Sequence, residues 1–391
     1  MPALREPVIV GIADAALEKG VLKGGGSVLQ MQARLAKAAL AEAGLSIGDV
    51  DGLLVAGLWG MPGPGVFPTV TMAEYLGIRP RFTDSTNIGG AAFEAHVAHA
   101  AMAIERGYCD VALILYGSTQ RSEKSRSLGG RPPVLTAQFE TIWGIPLPVG
   151  AYAMAAMRHR HDYGTTSEQL AEIAVATRKW AALNPAATMR DPLTIDDVLA
   201  SPLIADPLHL LDCCLVTDGG GALVMTSADH ARAQGVRTPI HVRGWGECVS
   251  HSSIAAMPDL ARLQAAETSG AVAMAMAGIG HDDLDVVEIY DSFTITVLLT
   301  LEALGFCKRG EGGRFVAGQR TAPGGDFPLN TNGGGLSYAH PGMYGMFLLI
   351  EAVRQLRGAC GPRQVPGARL ALVHGTGGVL SSGATCILSR S

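Results

Sequence analysis

Residues 330–345 read NTNGGGLSYAHPGMYG, a concentration of glycine around one histidine. Glycines allow a backbone to approach a ligand that a Cβ would hold off, which makes Asn332, Gly333 and Gly334 candidate ligand contacts. His340, just before a proline turn, is placed for proton transfer or for a hydrogen bond to a carbonyl oxygen, and Tyr344 follows it closely. A second stretch, DSTNIGGAAFEAHVAHAAMAI at 84–104, opens with small polar residues and with Gly89 and Gly90, then runs into a helix-like segment with almost no charge. A glycine-lined helix N-terminus presents unpaired N–H groups and the positive end of the macrodipole, a mouth suited to an anion.

The elements that must carry these residues alternate. Apolar strand-like runs (PVIVGIAD, DGLLVAGL, DVALILYGS, GGALVMTS, IHVRGWGE, VVEIYDSF, ARLALVHGTGG and ATCILSR) are interleaved with helical patterns, which predicts an α/β protein with layered sheets. Two parts look alike in outline: a helix at 91–106 leads into DVALILYGS, and a helix near 345–357 leads into LALVHGTGG. Between them, residues 118 to about 205 differ, with a Gly/Pro/Arg/Ser stretch and then a helical one that TTSEQ caps. An insertion of that kind often covers a ligand site.

Bulk properties narrow the function. At 391 residues and 48% hydrophobic, the chain has material for two or three domains. A net charge of -5 indicates neither a nucleic-acid surface nor an acidic tail. No apolar run approaches the roughly 20 residues of a membrane span, and the N-terminus lacks a secretory pattern, so a cytoplasmic location is expected. Seven scattered cysteines without a C-x-x-C pair argue against a disulfide framework or a zinc cluster. His96 and His99 are spaced i, i+3, but no third ligand accompanies them and no metal is assigned.

The frame N-x-x-G-G-x-x-x-x-x-H-P-G at 330–342 is similar to the active-site histidine loop of the thiolase superfamily, in the branch with sterol-carrier-protein thiolases and bacterial lipid-transfer-type proteins. EIYDSFTITVLLTLEALGFC resembles the N-E-A-F or H-D-C-F loop and its helix, DCCLVTDGGGALVMTS the close of the N-terminal half, and PLTIDDVLASPLIADPLHLLD the exit from the loop domain, in family order. The resemblance implies a five-layered α-β-α-β-α fold: an N-terminal half from 1–117 and 206–235, a helical loop domain at 118–205, and a C-terminal half at 236–391. It also implies a homodimer, an acyl-CoA ligand with no permanently bound cofactor, and a small zinc-ribbon/OB-fold partner that would complete a heterotetramer. It places Cys214 beside the pantetheine channel, and Arg121, Lys124, Arg126 and Arg131 are candidates for the CoA phosphates, with a solvated basic loop as the alternative.

Three departures direct the chemistry. Where thiolases carry C-x-x-G-x-x-A, this chain has Thr86 or, with a slip of one residue, Asn87; neither supplies an activated nucleophile. The second catalytic cysteine is replaced by His374, Gly375 and Thr376 at or near its position. Conversely, Y-D-S-F offers Tyr290, and with Tyr344 two phenols are expected to face the reacting carbons. Thr86, Asn87 and His374 are secondary candidates, and Asp291 and Ser292 are expected to cap the following helix. The reading is an aldolase cleaving a bulky, steroid-like 3-hydroxyacyl-CoA, with Tyr290, Tyr344 and His340 moving protons and binding the thioester oxygen. The alternatives are a thiolase or acetyltransferase with a non-standard nucleophile, and a non-catalytic acyl-CoA or lipid binder.

Overall fold

The computed structural model describes residues 4–57, 65, 67–124 and 138–390. Nine strands form one hydrogen-bonded sheet: β1 (Pro7–Asp14), β2 (Gly52–Val55), β3 (Phe82–Asp84), β4 (Val111–Ser118), β5 (Gly219–Ser227), β6 (Ile240–Val249), β7 (Val286–Ile289), β8 (Leu370–Gly377) and β9 (Ser382–Arg390). Their order is β7-β8-β9-β6-β1-β5-β4-β2-β3. The order is a duplication. In one half β1 pairs antiparallel with β5, β5 antiparallel with β4, and β4 parallel with β2. In the other, β6 pairs antiparallel with β9, β9 antiparallel with β8, and β8 parallel with β7. A short antiparallel register between β1 and β6 joins the two.

Seven helices matter for the site: α1 (Val28–Glu42), α2 (Ala92–Glu105), α3 (Val149–Tyr163), α4 (Ser167–Ala182), α5 (Gln264–Ala277), α6 (Thr294–Ala303) and α7 (Gly345–Arg357). α1 packs on one face of β1, β5 and β4, α5 on one face of β6 and β9, and α2 and α7 contact strands of both halves. The layers are therefore α1, sheet half, α2 with α7, sheet half, α5. Strand periodicity explains the uninterrupted apolar runs, because both faces are buried. On β4, Val111, Leu113 and Leu115 face the α1 core, while Ala112, Ile114 and Tyr116 face the central layer. α4 starts where TTSEQ predicts, with Thr166 and Gln169 forming a capping box.

Candidate active site

Three aromatic rings meet where β7, the 330–344 loop and the start of α7 converge. Tyr290 leaves β7 with its amide bonded to the His374 carbonyl at 3.0 Å. Its hydroxyl lies 2.9 Å from His340 Nε2 and accepts the Tyr344 N–H at 3.1 Å. The same hydroxyl lies 3.4 Å from the Gly342 carbonyl; when neutral His340 carries its proton on Nδ1, the phenol donates to Nε2. The Tyr290 ring stands edge-on to His340 and to Tyr344, with centroids 5.6 and 5.8 Å away, and the His340 and Tyr344 rings are nearly parallel at 6.1 Å.

Each member is anchored from a different element. The His340 N–H donates to Thr217 Oγ1 at 2.9 Å, and Thr217 N–H returns a bond to the His340 carbonyl at 3.2 Å. Tyr116 of β4 donates to the Pro341 carbonyl and accepts from the Met343 amide, fixing the turn between His340 and Tyr344. Tyr344 donates to Asn332 Oδ1 at 2.9 Å. Burial governs the electrostatics. It lowers His340 to about 4 and raises both tyrosines well above the ordinary phenol range, so all three are neutral near pH 7.

Asp291 does something other than capping. α6 begins at Thr294 with Phe293 as N-cap and no side-chain cap bond. The Asp291 carboxyl instead accepts the Gly335 and Leu336 amides at 2.6 and 3.2 Å, tying the glycine loop to the Tyr290 strand. Burial raises it to about 7 despite those amides. Ser292 bonds Thr296 Oγ1 at 2.9 Å.

The glycine loop also differs from its expected use. Gly333, Gly334 and Gly335 donate to the Asn330 carbonyl, Asn332 Oδ1 and Asp291 Oδ1, so their amides are spent inside the protein. A Cβ on Gly333 would lie 2.6 Å from Ala181 Cβ, and one on Gly334 1.9 Å from Asp291 Oδ2: their bareness accommodates protein, not a ligand. Gly89 and Gly90 are likewise packed. A Cβ on Gly89 would lie 2.5 Å from the Gly378 nitrogen, and one on Gly90 2.2 Å from Tyr290 Cε2, which brings the mouth of α2 against the Tyr290 ring.

The positions that stand for the thiolase cysteines are engaged elsewhere. Thr86 Oγ1 donates to Asp84 Oδ1 at 2.8 Å, and Asn87 Nδ2 donates to the Gly57 carbonyl at 2.7 Å. His374 Nδ1 pairs with Thr385 Oγ1 at 2.8 Å. His374 shares its β8 face with Leu372 of the α5-side core, whereas Val373 belongs to the central core, so the strand's alternation turns the ring away from Tyr290. The Cys214 thiol is raised well above its ordinary value, first by burial and then by Cys213 and Asp291, which keeps it a thiol rather than a thiolate. Arg121 reaches the Val216 carbonyl, while Arg126 and Arg131 lie outside the described residues. His96 bonds the Thr86 carbonyl, and His99 bonds Asp84 and Glu247. Among the described residues no group of three ligating side chains could hold a metal ion.

A duplicated sheet with two central helices, whose nucleophile position holds a capped threonine, defines a thiolase-like protein without the thiol chemistry. Residues 246–390 match the family described as Thiolase C-terminal domain-like. The chain is 35% identical to the 17-hydroxy-3-oxo-4-pregnene-20-carboxyl-CoA lyase of Mycobacterium tuberculosis over 97% of this chain and 98% of that one. It is 33% identical to the acetyl-CoA acetyltransferase of Methanothermobacter thermautotrophicus, over 90% and 92%. A solved Ltp2-ChsH2(DUF35) aldolase superposes with a TM-score of 0.87 at 32% identity, covering 98% of each chain. The chain belongs to the thiolase superfamily, in the lipid-transfer-type branch with these thiolase-like lyases.

Proposed function

We propose that the protein is an aldolase that cleaves a bulky 3-hydroxyacyl-CoA, of the steroid side-chain class, into a ketone and a shorter acyl-CoA. The observation that carries this reading is the Tyr290–His340 hydrogen bond in a site whose threonine and thiol are not activated. Tyr290 oxygen accepts the proton of the substrate's 3-hydroxyl while its own proton passes to His340 Nε2. The carbonyl forms, the bond between the α and β carbons breaks, and its electrons enter the thioester enolate. The concerted transfer suits the burial, because neither a lone phenolate nor a lone imidazolium is stable there. The imidazolium then stands beside the enolate and offsets its charge, and its proton returns through the Tyr290 hydroxyl, the group it is bonded to, to the α carbon. Protons balance and no oxidant, metal or cofactor enters.

The similarity to a 17-hydroxy-3-oxo-4-pregnene-20-carboxyl-CoA lyase supports the substrate class, and that to the Ltp2-ChsH2(DUF35) aldolase supports a DUF35-type partner, which we assign as the small zinc-ribbon/OB-fold protein of a heterotetramer. The edge strand β3, whose Asp84 carbonyl accepts from Thr69 of the segment that carries the exposed Phe67, Val70 and Tyr75, supports a homodimer. Seven free cysteines support a reducing, cytoplasmic setting.

The test is incubation with 3-hydroxyacyl-CoA and 3-ketoacyl-CoA, with and without the candidate partner, followed by identification of the fragments. Cleavage of the hydroxyacyl substrate independent of free CoA is expected. Cleavage of the ketoacyl substrate only with free CoA, or a covalent acyl-enzyme surviving denaturation, would replace the lyase with an acyltransferase.

A further inference from the structure

Glu94 is a carboxylic acid in the first turn of α2, fully buried, and neither of its oxygens has a hydrogen-bond partner among the described residues. Buried polar groups are almost always paired, so an orphaned carboxyl calls for a reason. Its slot is made by two glycines from other elements. A Cβ on Gly345, the first residue of α7, would lie 2.3 Å from Glu94 Oε2, and one on Gly375 of β8 would lie 2.2 Å from the same atom. The slot adjoins the reacting groups on two sides. One helical turn earlier, Gly90 packs on the Tyr290 ring; one residue before Gly345, the Tyr344 amide holds the Tyr290 hydroxyl.

We propose that Glu94 is a positioning residue for the two tyrosines, acting as an uncharged carboxylic acid wedged between the start of α7 and β8. An ionised carboxylate there would drive for solvent or a cation, and no cation pairs with it among the described residues. It would displace Gly345 and Gly90 together, and with them the Tyr344 amide and the Tyr290 ring. The inference rests on the aldolase reading of the site. Burial raises Glu94 from 4.5 to about 8, which keeps it protonated at neutral pH. The titratable groups around it do not change charge in that range. Cys386 of β9, whose thiol donates to the Glu94 carbonyl, is raised well above its ordinary value, His374 of β8 is lowered to about 3, and Tyr290 and Tyr344 are raised.

The experiment compares the full-length wild type with Glu94→Gln and Glu94→Ala. In kcat/KM against pH, the wild type is expected to fall through about pH 8. Gln, a neutral isostere, should retain most of the turnover and lack that fall, and Ala should lose about tenfold or more at every pH because the wedge is gone. An identical alkaline fall in Gln, or wild-type turnover in Ala, overturns the proposal. Thermal unfolding separates its failure from that of the aldolase reading, since it needs no substrate. A carboxyl whose folded-state value is raised stabilises most at low pH and less as pH climbs to that value. The wild type should therefore lose melting temperature relative to Gln from pH 4.5 up to about 8, then run parallel. A pH-independent gap overturns the neutral-acid assignment even if cleavage is confirmed.

Discussion

The Tyr290–His340 pair joins two residues that are poor acid–base catalysts alone in an apolar site, since burial raises the phenol and lowers the imidazole. Their hydrogen bond makes the proton's move internal, so little charge separation has to be solvated. Tyr290→Phe removes the hydroxyl but keeps the ring against Gly90, and we expect turnover to drop by about 10²–10⁴ while acyl-CoA still binds. Single-turnover cleavage beside a binding titration reads the two separately; equal cleavage by wild type and variant would remove Tyr290 from the mechanism. The same pair sets the acid limit. In the proposed cleavage His340 must be neutral to accept the proton, and its lowered value is expected to move the acid fall of kcat/KM to about pH 4 rather than the ordinary histidine range. A fall near 6.5 would mean that His340 is solvated in the free enzyme.

At the scale of elements, the site is a junction of glycine-bared surfaces, and α2 contributes by where its mouth lies rather than by a nucleophile. In Gly90→Ala the added methyl would overlap Tyr290 Cε2 and the Thr376 carbonyl. Overpacking of this kind costs about 1–3 kcal/mol, and we expect a lower melting temperature together with a loss of turnover larger than the loss of folded protein. A variant that cleaves at the wild-type rate would show that the α2 mouth does not position Tyr290. The strands and the motifs that carry the family were legible in the sequence because periodicity and motif spacing are local. Asp291 was read as a cap because a carboxyl before a helix ordinarily is one; its true partners, Gly335 and Leu336, are remote in sequence. His374 matched the motif by position, but pleat parity with Leu372 turns it to the other face, and counting outward from Val373 could have shown this. Glu94 carries a signal in the sequence, the one acid between Asp84 and Glu105 in an apolar helical run, and only the folded chain shows the two glycines that enclose it.

At the scale of the whole molecule, the two sheet halves are joined by the short β1–β6 register, the shared helices α2 and α7, and polar links that include Arg354–Asp14 and a clamp on His99. His99 of α2 bonds Asp84 of β3 at 2.5 Å and Glu247 of β6 at 3.3 Å, linking the outer strand of one half to a strand of the other. The Asp84 bond raises His99 above 6.5, with burial opposing and Glu247 assisting; Asp84 is held low by His99 and Thr86 against its own burial. A histidine with a raised folded-state value gives stability that is complete below the unfolded value and is lost as pH rises through the folded one. The clamp should therefore be intact in mildly acidic solution and loosen as pH rises through the raised value of His99. His99→Asn should flatten that part of the wild-type melting curve against pH and lower stability at pH 6 by roughly 1.5–3 kcal/mol, the range for hydrogen bonds to charged groups. Glu247→Gln should cost less than about 1 kcal/mol, because Glu247 is 45% exposed and its bond is longer. The Glu94 titration is common to wild type and His99→Asn and cancels in their difference, so the two pH effects are separable in one set of melts. A His99→Asn curve parallel to the wild type across pH 5 to about 8 would show that the histidine is uncharged there and that the clamp adds no pH-dependent stability.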